Sequence, residues 1–536
     1  NGRRRQRQMC IRDRLCTSLL INNVDNIFMI NKKSGALVFF AFVFGLLAIF
    51  GVDLFESVWS FPIFSPVPLM IIALLGTGIY TTINLNFPQI RYLKHGIKVT
   101  KGDYDDPNEE GDLNHFQALT TALSATVGIG NIAGVATAIY YGGPGALFWM
   151  WITAFFGSAL KYAECTLAVE YRDFDSKGMT AGGPMYTIEK GLGQQYRWLA
   201  IIFAGFAVIC SFATGNAIQS FTLSDQIYSE VSQIVGTDHF LTTKHDIFTW
   251  WTVSVQQIIN GIFIAFIAGL VIVGGIKRIG NVTSFLAPFM AAIYVISALL
   301  ILLYNFAEVP ASFGKIISMA FNPPAAIGGA AGGTFLLFMN TMLWGVKRGL
   351  YSNEAGQGSA PIAHSTAKTD YPVREGVVAL LEPFIDTIII CTLTGLTIIS
   401  TGAWQHTEFY LTRIDPNFTG ELLNGSLLTS EAFRLGLSWI LPFGDKIITL
   451  GVLLFAISTV ISWSFYGDRA TDYLFGEKAI PFYKGFYIAF VFIGAVATLE
   501  AIWAFGDAAL GFMTFPNLIS IISVSYTHLR AHETIA

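Results

Sequence analysis

Long apolar runs separated by short polar loops dominate the chain. A helix needs roughly 20 mainly apolar residues to cross a bilayer. Runs of that kind fall at 34–52, 66–86, 116–141, 145–170, 199–224, 254–276, 282–305, 332–351, 376–400, 446–466, 483–499 and 502–524. Transmembrane strands would instead alternate polarity in stretches of about ten residues, so the pattern excludes a β-barrel. The fold class expected is an all-α polytopic membrane protein. The run at 34–52 follows Lys32 and Lys33 and reads equally as a signal peptide or as an extra helix.

The two ends depart from this pattern. Residues 1–28 are basic and lack helical periodicity, and 525–536 interrupt an apolar run after Val524. Both read as non-native leader and tail, with Met29 as the start. That leaves an N-terminal hydrophobic segment at 29–65 and one helical domain at 66–524.

Loop charge sets the direction of the spans. Arg91, Lys94, Lys98, Lys101, Arg172, Lys177, Lys190, Arg197, Lys277, Arg278, Lys368, Arg374, Arg469, Lys478 and Lys484 all fall on one side if every span from 66 onward is real. The opposite loops are longer and carry only Lys244, Lys315, Arg413, Arg434 and Lys446. The basic side is therefore expected in the cytoplasm, and the protein in the inner (cytoplasmic) membrane as a multi-pass protein. Composition agrees: 53% of residues are apolar and 13% charged, against about 25% charged in soluble proteins. A net charge of −4 offers nucleic acid no basic face. Cys10, Cys16, Cys165, Cys210 and Cys391 have no metal or redox spacing, and the last three read as small buried apolar residues.

Two runs are poor helices in part. In 116–141 the stretch from Ser124 to Gly134 holds three glycines with Thr126 and Asn131. Each glycine weakens a helix by roughly 1 kcal/mol relative to alanine, and unwound backbone survives at bilayer depth only where protein or a cavity satisfies it. The run at 332–360 is apolar to Trp344, then meets Gly345, Lys347, Arg348, Gly349, Asn353, Glu354, Gly356 and Gly358. Counted from 116, the two are the first and sixth of ten core helices and run in opposite directions. That is the layout of a 5+5 inverted repeat, whose paired discontinuous helices frame a substrate site. Half-helix N-termini suit a carboxylate, and unwound carbonyls suit Na⁺. Ser458 and Thr459, inside the apolar run at 446–466, could complete its shell; back-bonding to their own helix is the plainer reading.

At these residues the chain resembles the alanine or glycine:cation symporter family (sodium:alanine symporters). The likeness lies in TALSATVGIGNIAGVATAI (120–139), GGPGALFWMWITAFFGSALKYAE (142–164), AGGPMYTIEKGLG (181–193), TGNAIQS (214–220) and WGVKRGLYSNEAGQGSAPIAHSTAKTDYPVREG (344–376), and it covers 66–524. The resemblance implies a LeuT-type fold with one or two additional N-terminal helices, and Na⁺-driven import of alanine or glycine by alternating access. It also implies a substrate site at Thr126, Val127, Gly128, Ile129 and Gly130, with Gln219, Trp344 and Asn353. Trp344 would close a small pocket, and the role of Asn353 is the least defined. The implied sodium ligands are Ser124, Val127, Ser458 and Thr459. Na⁺ is the coupling ion, with no other cofactor; the partners are a small neutral amino acid and the lipid bilayer.

Further charges sit inside apolar runs. Lys161 and Glu164 are spaced to pair on one helix face. Glu382, Asp386, Glu500 and Asp507 lie near expected helix ends and read as structural, and His364 reads as a surface or gate residue. A proton-coupled carrier is the alternative function, an ion channel a more distant one, because a single asymmetric chain carries no repeated pore ring. An enzyme is not expected, since no HExxH, Ser–His or phosphate-loop motif appears.

Overall fold

The computed structural model describes residues 62–64, 67–248, 251–324, 334–497 and 499–532. The run at 34–52 and the side chains of Glu500 and Asp507 lie outside the described residues. Each apolar run from 66 onward is helical over most of its described residues. The main helices are α1 (Leu69–Asn84), α2 (His115–Thr126), α3 (Ala133–Gly142), α4 (Ala146–Glu170), α5 (Gln194–Val235), α6 (Val255–Ile272), α7 (Gly275–Tyr304), α8 (Thr334–Asn353), α9 (Ala360–His364), α10 (Pro372–Ser400), α11 (Gly425–Leu437), α12 (Gly444–Phe475), α13 (Ile480–Val496) and α14 (Leu499–His532), with shorter helices such as Leu93–Thr100 and Val309–Phe321 between them. Among the described residues six helices are long and apolar enough to cross a bilayer, and a bent pair around residue 128 makes a seventh. At 25 and 20 residues, α4 and α8 are long enough, but Lys161 and Glu164, and Lys347 and Arg348, dilute their apolar character.

Short antiparallel hairpins join some helices. One pairs Asp173 with Ala181, and another pairs Lys244 with Ser254. Helix starts carry their own caps. Asn114 accepts from the Gln117 amide at 2.8 Å while Gln117 Oε1 accepts from the Asn114 amide, so α2 begins with a reciprocal capping box.

Small residues let the helices approach closely, as membrane packing requires. A methyl group on Gly345 would lie 2.3 Å from the Ala146 carbonyl oxygen, and one on Gly349 would lie 2.3 Å from Thr153 Oγ1. These glycines seat α8 against α4. They do not unwind α8, which stays helical to Asn353. The interruption, expected late in this run or at its cytoplasmic end, begins at Glu354.

The basic loops meet at one end, as their charge suggested. Arg172, after α4, donates from Nη1 to the Ser365 and Ala367 carbonyls at 3.0 and 2.6 Å, and from Nη2 to the Glu110 and Thr369 carbonyls, both at 2.8 Å. Burial pushes its pKa down from the ordinary arginine value. Arg374 pairs with Glu109, Arg469 with Asp175 and Lys177 with Glu477. At the other end Asn340 holds the Tyr141 carbonyl and Thr137 holds Asn424.

Candidate functional site

Two interrupted helices meet inside the bundle. α2 ends at Thr126; Val127 (ψ 76°) and extended Gly128 follow, then a single 3-10 turn over Ile129–Asn131, before α3 leaves at 58°. α8 enters from the opposite end and stops at Asn353. Its continuation is a tight loop with Glu354, Gly356 and Gly358 at φ 52°, 77° and 86°, and then α9. Positive φ is free of cost only for glycine, so Glu354 is held there by its contacts. Its carboxylate accepts from Ser359 Oγ at 2.5 Å and from the Trp463 indole N–H at 3.1 Å.

The two breaks lie against each other. A methyl group on Gly130 would come within 3.2 Å of the Tyr351 ring and 3.3 Å of Ser352 Cα. Asp386, on a π-helical stretch of α10 at 384–391, joins them. Asn131 Nδ2 donates to its Oδ1 at 2.6 Å; Ser352 and Thr387 hydroxyls donate to its Oδ2, both at 2.7 Å. All four side chains are buried. Asn131 Oδ1 is buried without a hydrogen-bond partner among the described residues.

The unwound carbonyls are answered by hydroxyls from other helices, as burial demands. Thr394 of α10 donates to the Asn131 carbonyl at 2.8 Å, and Thr429 of α11 to that of Ile132 at 3.0 Å. Ser458 and Thr459 of α12 both donate to the Ser124 carbonyl, at 3.3 and 3.0 Å. Ser458 also back-bonds to Phe455, and Thr459 points at the break. With Ser124 Oγ, buried and unpartnered among the described residues, this is a buried cluster of oxygens of the kind a hard cation requires. Val127 is buried beside it.

Other residues singled out in the sequence take varied places. Gln219 lies just past a π-helical turn of α5 at 213–217; its Oε1 accepts from the Ile129 amide at 3.4 Å. A methyl group on Gly128 would strike Thr459 Oγ1 at 2.6 Å and approach Gln219 Oε1 at 3.3 Å. Thr126 turns its hydroxyl back onto the Ala122 carbonyl. Asn353 braces the second break, accepting from the Ala355 amide and donating to Thr387, both at 3.1 Å. Trp344 is not brought to this cluster. It stands nine positions before Asn353 and stacks on Tyr141, ring centres 4.3 Å apart, at the end of α3 away from the basic loops.

Several buried partners escaped the sequence reading. Lys161 bonds not to Glu164 but to Glu382, at 2.9 Å. Glu164 instead accepts from the Gly356 amide and from Asn517 Nδ2. His364 is fully buried, not superficial. The available signal was the number of ionisable residues inside apolar runs, each a functional candidate by default. Cys165, His364 and Glu382 offer atoms within 4.8 Å of one another, but the Lys161 ammonium on Glu382 opposes a metal ion there.

Comparison with known proteins bears on this site. The sequence profile of the sodium:alanine symporter family matches residues 51–534. The sodium/alanine symporter AgcS of Methanococcus maripaludis is 42% identical over 460 residues, covering 85% of this chain and 92% of that protein. An uncharacterised transporter of Haemophilus influenzae is also 42% identical, over 85% of this chain and 90% of its own. Among solved structures, MhsT in complex with L-phenylalanine aligns with a TM-score of 0.45 at 13% identity, covering 78% of this chain and 99% of that one.

Proposed function

Because this chain belongs to the sodium:alanine symporter family, we propose that it imports alanine or glycine across the cytoplasmic membrane, driven by the sodium gradient through alternating access. It is a multi-pass membrane protein of a transporter family. The observation that carries the finer reading is the meeting of two antiparallel interrupted helices around the Ser124 carbonyl, with the Ser458 and Thr459 hydroxyls aimed at it. Ser124, Val127, Ser458 and Thr459 are our proposed sodium ligands. The turn from Thr126 to Gly130, with Gln219 beside it and Asn353 behind, is the proposed cradle for the amino-acid carboxylate and side chain. Hydroxyl and carbonyl oxygens suit Na⁺, and a 3-10 turn opening a helix offers a carboxylate both N–H groups and dipole. Trp344 and Tyr141 then form an aromatic stack on the outer side of the cradle. The antiparallel breaks favour a LeuT-type 5+5 arrangement, with α1 preceding the ten core helices. An inward sodium charge contributes roughly 2.3 kcal/mol per 100 mV of membrane potential.

The test is uptake of radiolabelled alanine into proteoliposomes with and without an inward Na⁺ gradient. Accumulation above equilibrium only with sodium is the expected result. Equal accumulation when an inward proton gradient replaces sodium would make the proton the coupling ion instead.

A further inference from the structure

The uptake reading leaves one buried ensemble unused. Lys161 Nζ of α4 donates to Glu382 Oε2 of α10 at 2.9 Å. Glu382 Oε1 meets His364 Nε2 of α9, and His364 Nδ1 meets Glu375 Oε1 of α10. Glu375 Oε2 meets Nδ1 of His115, the first residue of α2. These side chains are all 0% exposed. We propose that this chain of side chains is a proton-binding site, and that its proton fastens the basic-loop halves of both interrupted helices, α2 and α9, to α4 and α10.

Donor counting carries the argument. An ionised carboxylate only accepts, and a neutral imidazole has one N–H and one lone pair. His364 faces a carboxylate oxygen with each ring nitrogen. If both acids are ionised and the ring is neutral, one contact sets a lone pair against an anion. One further proton, on the ring or on either acid, makes every contact a hydrogen bond. Charge gives the same answer: Lys161 with two carboxylates and two neutral imidazoles sums to −1, and burying that charge unpaired is costly. One added proton brings the sum to zero.

The groups facing the chain add charge of both signs, acids at its inner end and two arginines at its outer end. α4 adds Glu164 and Cys165, the second break adds Glu354, and α12 adds Tyr466. Arg172, Arg374 and Asp105 face its outer end near Glu375 and His115. At the inner end, around Lys161 and Glu382, the charged neighbours are the acids Glu164 and Glu354, which favours keeping the proton there. His115 Nε2, buried and without a hydrogen-bond partner among the described residues, ends the chain toward the basic loops. Losing the proton restores the net charge and loosens the joint between α2, α9 and α10.

Cys165 lies against His364 and Glu382 and serves as a built-in reporter, while Cys210, buried in α5 beside Thr214, serves as the control. The intact protein in proteoliposomes would be treated with methyl methanethiosulfonate from about pH 6 to about pH 9, and modification followed at each cysteine by mass spectrometry. Referring Cys165 to Cys210 removes the rise in thiolate common to both; the negative charge left beside Cys165 on proton loss opposes its ionisation, so a climb in the ratio reports opening of the joint. The ratio should climb about tenfold in the native chain as the site loses its proton. It should stay flat and low in Glu375→Gln, whose amide stands in for the protonated acid, and high throughout in His364→Gln. A flat native profile, or the same climb in folded Glu375→Gln, overturns the proposal. If Glu375→Gln does not fold, the native profile alone decides. The thiol readout stands whether or not the chain carries alanine.

Discussion

At the residue scale, the break in the first interrupted helix is as much a matter of space as of chain flexibility. Gly128 has the Thr459 hydroxyl where a side chain would begin, 2.6 Å from an added methyl. Gly128→Ala should therefore leave a folded protein whose alanine uptake falls at least about tenfold, a loss of about 1.4 kcal/mol in binding or transport. Normal uptake by that variant would mean the turn can move aside and is not the cradle. Thr459→Ala removes a hydroxyl aimed at the Ser124 carbonyl from 3.0 Å. It should raise the apparent sodium Km more than the alanine Km, and an unchanged sodium dependence would remove Thr459 from the ion site. Asp386 is a different case, because it accepts from Asn131, Ser352 and Thr387 together. Asp386→Asn keeps its shape but turns one acceptor into a donor, leaving a buried donor unmatched at a cost of about 1–3 kcal/mol. A thermal melt of the purified variant reads that loss; no shift would mean the two breaks are held by packing alone.

At the element scale, glycines in helices do two separate jobs that composition does not distinguish. Gly345 in α8 lets the Ala146 backbone come close, with an added methyl only 2.3 Å from its carbonyl oxygen. Backbone cannot step aside as a flexible side-chain tip can, so Gly345→Ala should destabilise by about 1–3 kcal/mol. Gly205 in α5 has nothing within 4 Å of an added methyl, and Gly205→Ala should stabilise by up to about 1 kcal/mol through helix propensity. Opposite shifts in melting temperature are expected, and shifts of the same sign would undo the distinction. The same pair shows how far the sequence could be read. Helix positions followed from apolar run length, and the first break from Gly128, Gly130 and Asn131 in one run. The second break was expected late in its run and begins at Glu354; Gly345 and Gly349, which looked like part of it, instead pack α8 against α4. Ser458 and Thr459 could be named from sequence, but their shared target, the Ser124 carbonyl, is more than 300 residues away in the chain. The partners of Lys161 and of Asp386 on α2 were hidden for the same reason: an apolar run shows that a charge is buried, not which distant helix answers it; His364 was missed because it was read as lying in a loop, although Glu375 and Glu382 are near it in the chain.

At the scale of the whole molecule, one side chain ties several segments at the end that gathers the basic loops, beside the Arg374–Glu109, Arg469–Asp175 and Lys177–Glu477 pairs. The Arg172 guanidinium reaches four carbonyls, at Glu110 before α2, at Ser365 and Ala367 after α9, and at Thr369 before α10. These segments flank the basic-loop halves of both interrupted helices, so Arg172 braces from outside what His364 and Glu375 join within. A planar fork with fixed donor directions can hold carbonyls on two sides at once; a lysine ammonium on a flexible stem cannot match that geometry. Arg172→Lys keeps the positive charge and should still lose about 2–5 kcal/mol, since hydrogen bonds to a charged donor contribute about 1.5–3 kcal/mol each and not all would be lost. The loosened end should also show faster trypsin cleavage at Lys98 and Lys101, which lie in the chain leading to Glu110. If Arg172→Lys matches the native protein in both melting and cleavage, charge alone holds this end and the carbonyl contacts are incidental. If both change while the Cys165-to-Cys210 ratio keeps its native pH profile, the outer brace and the inner proton site act independently. A profile that moves with the brace would make the basic-loop end a single cooperative unit, closed from both sides of the same two helices.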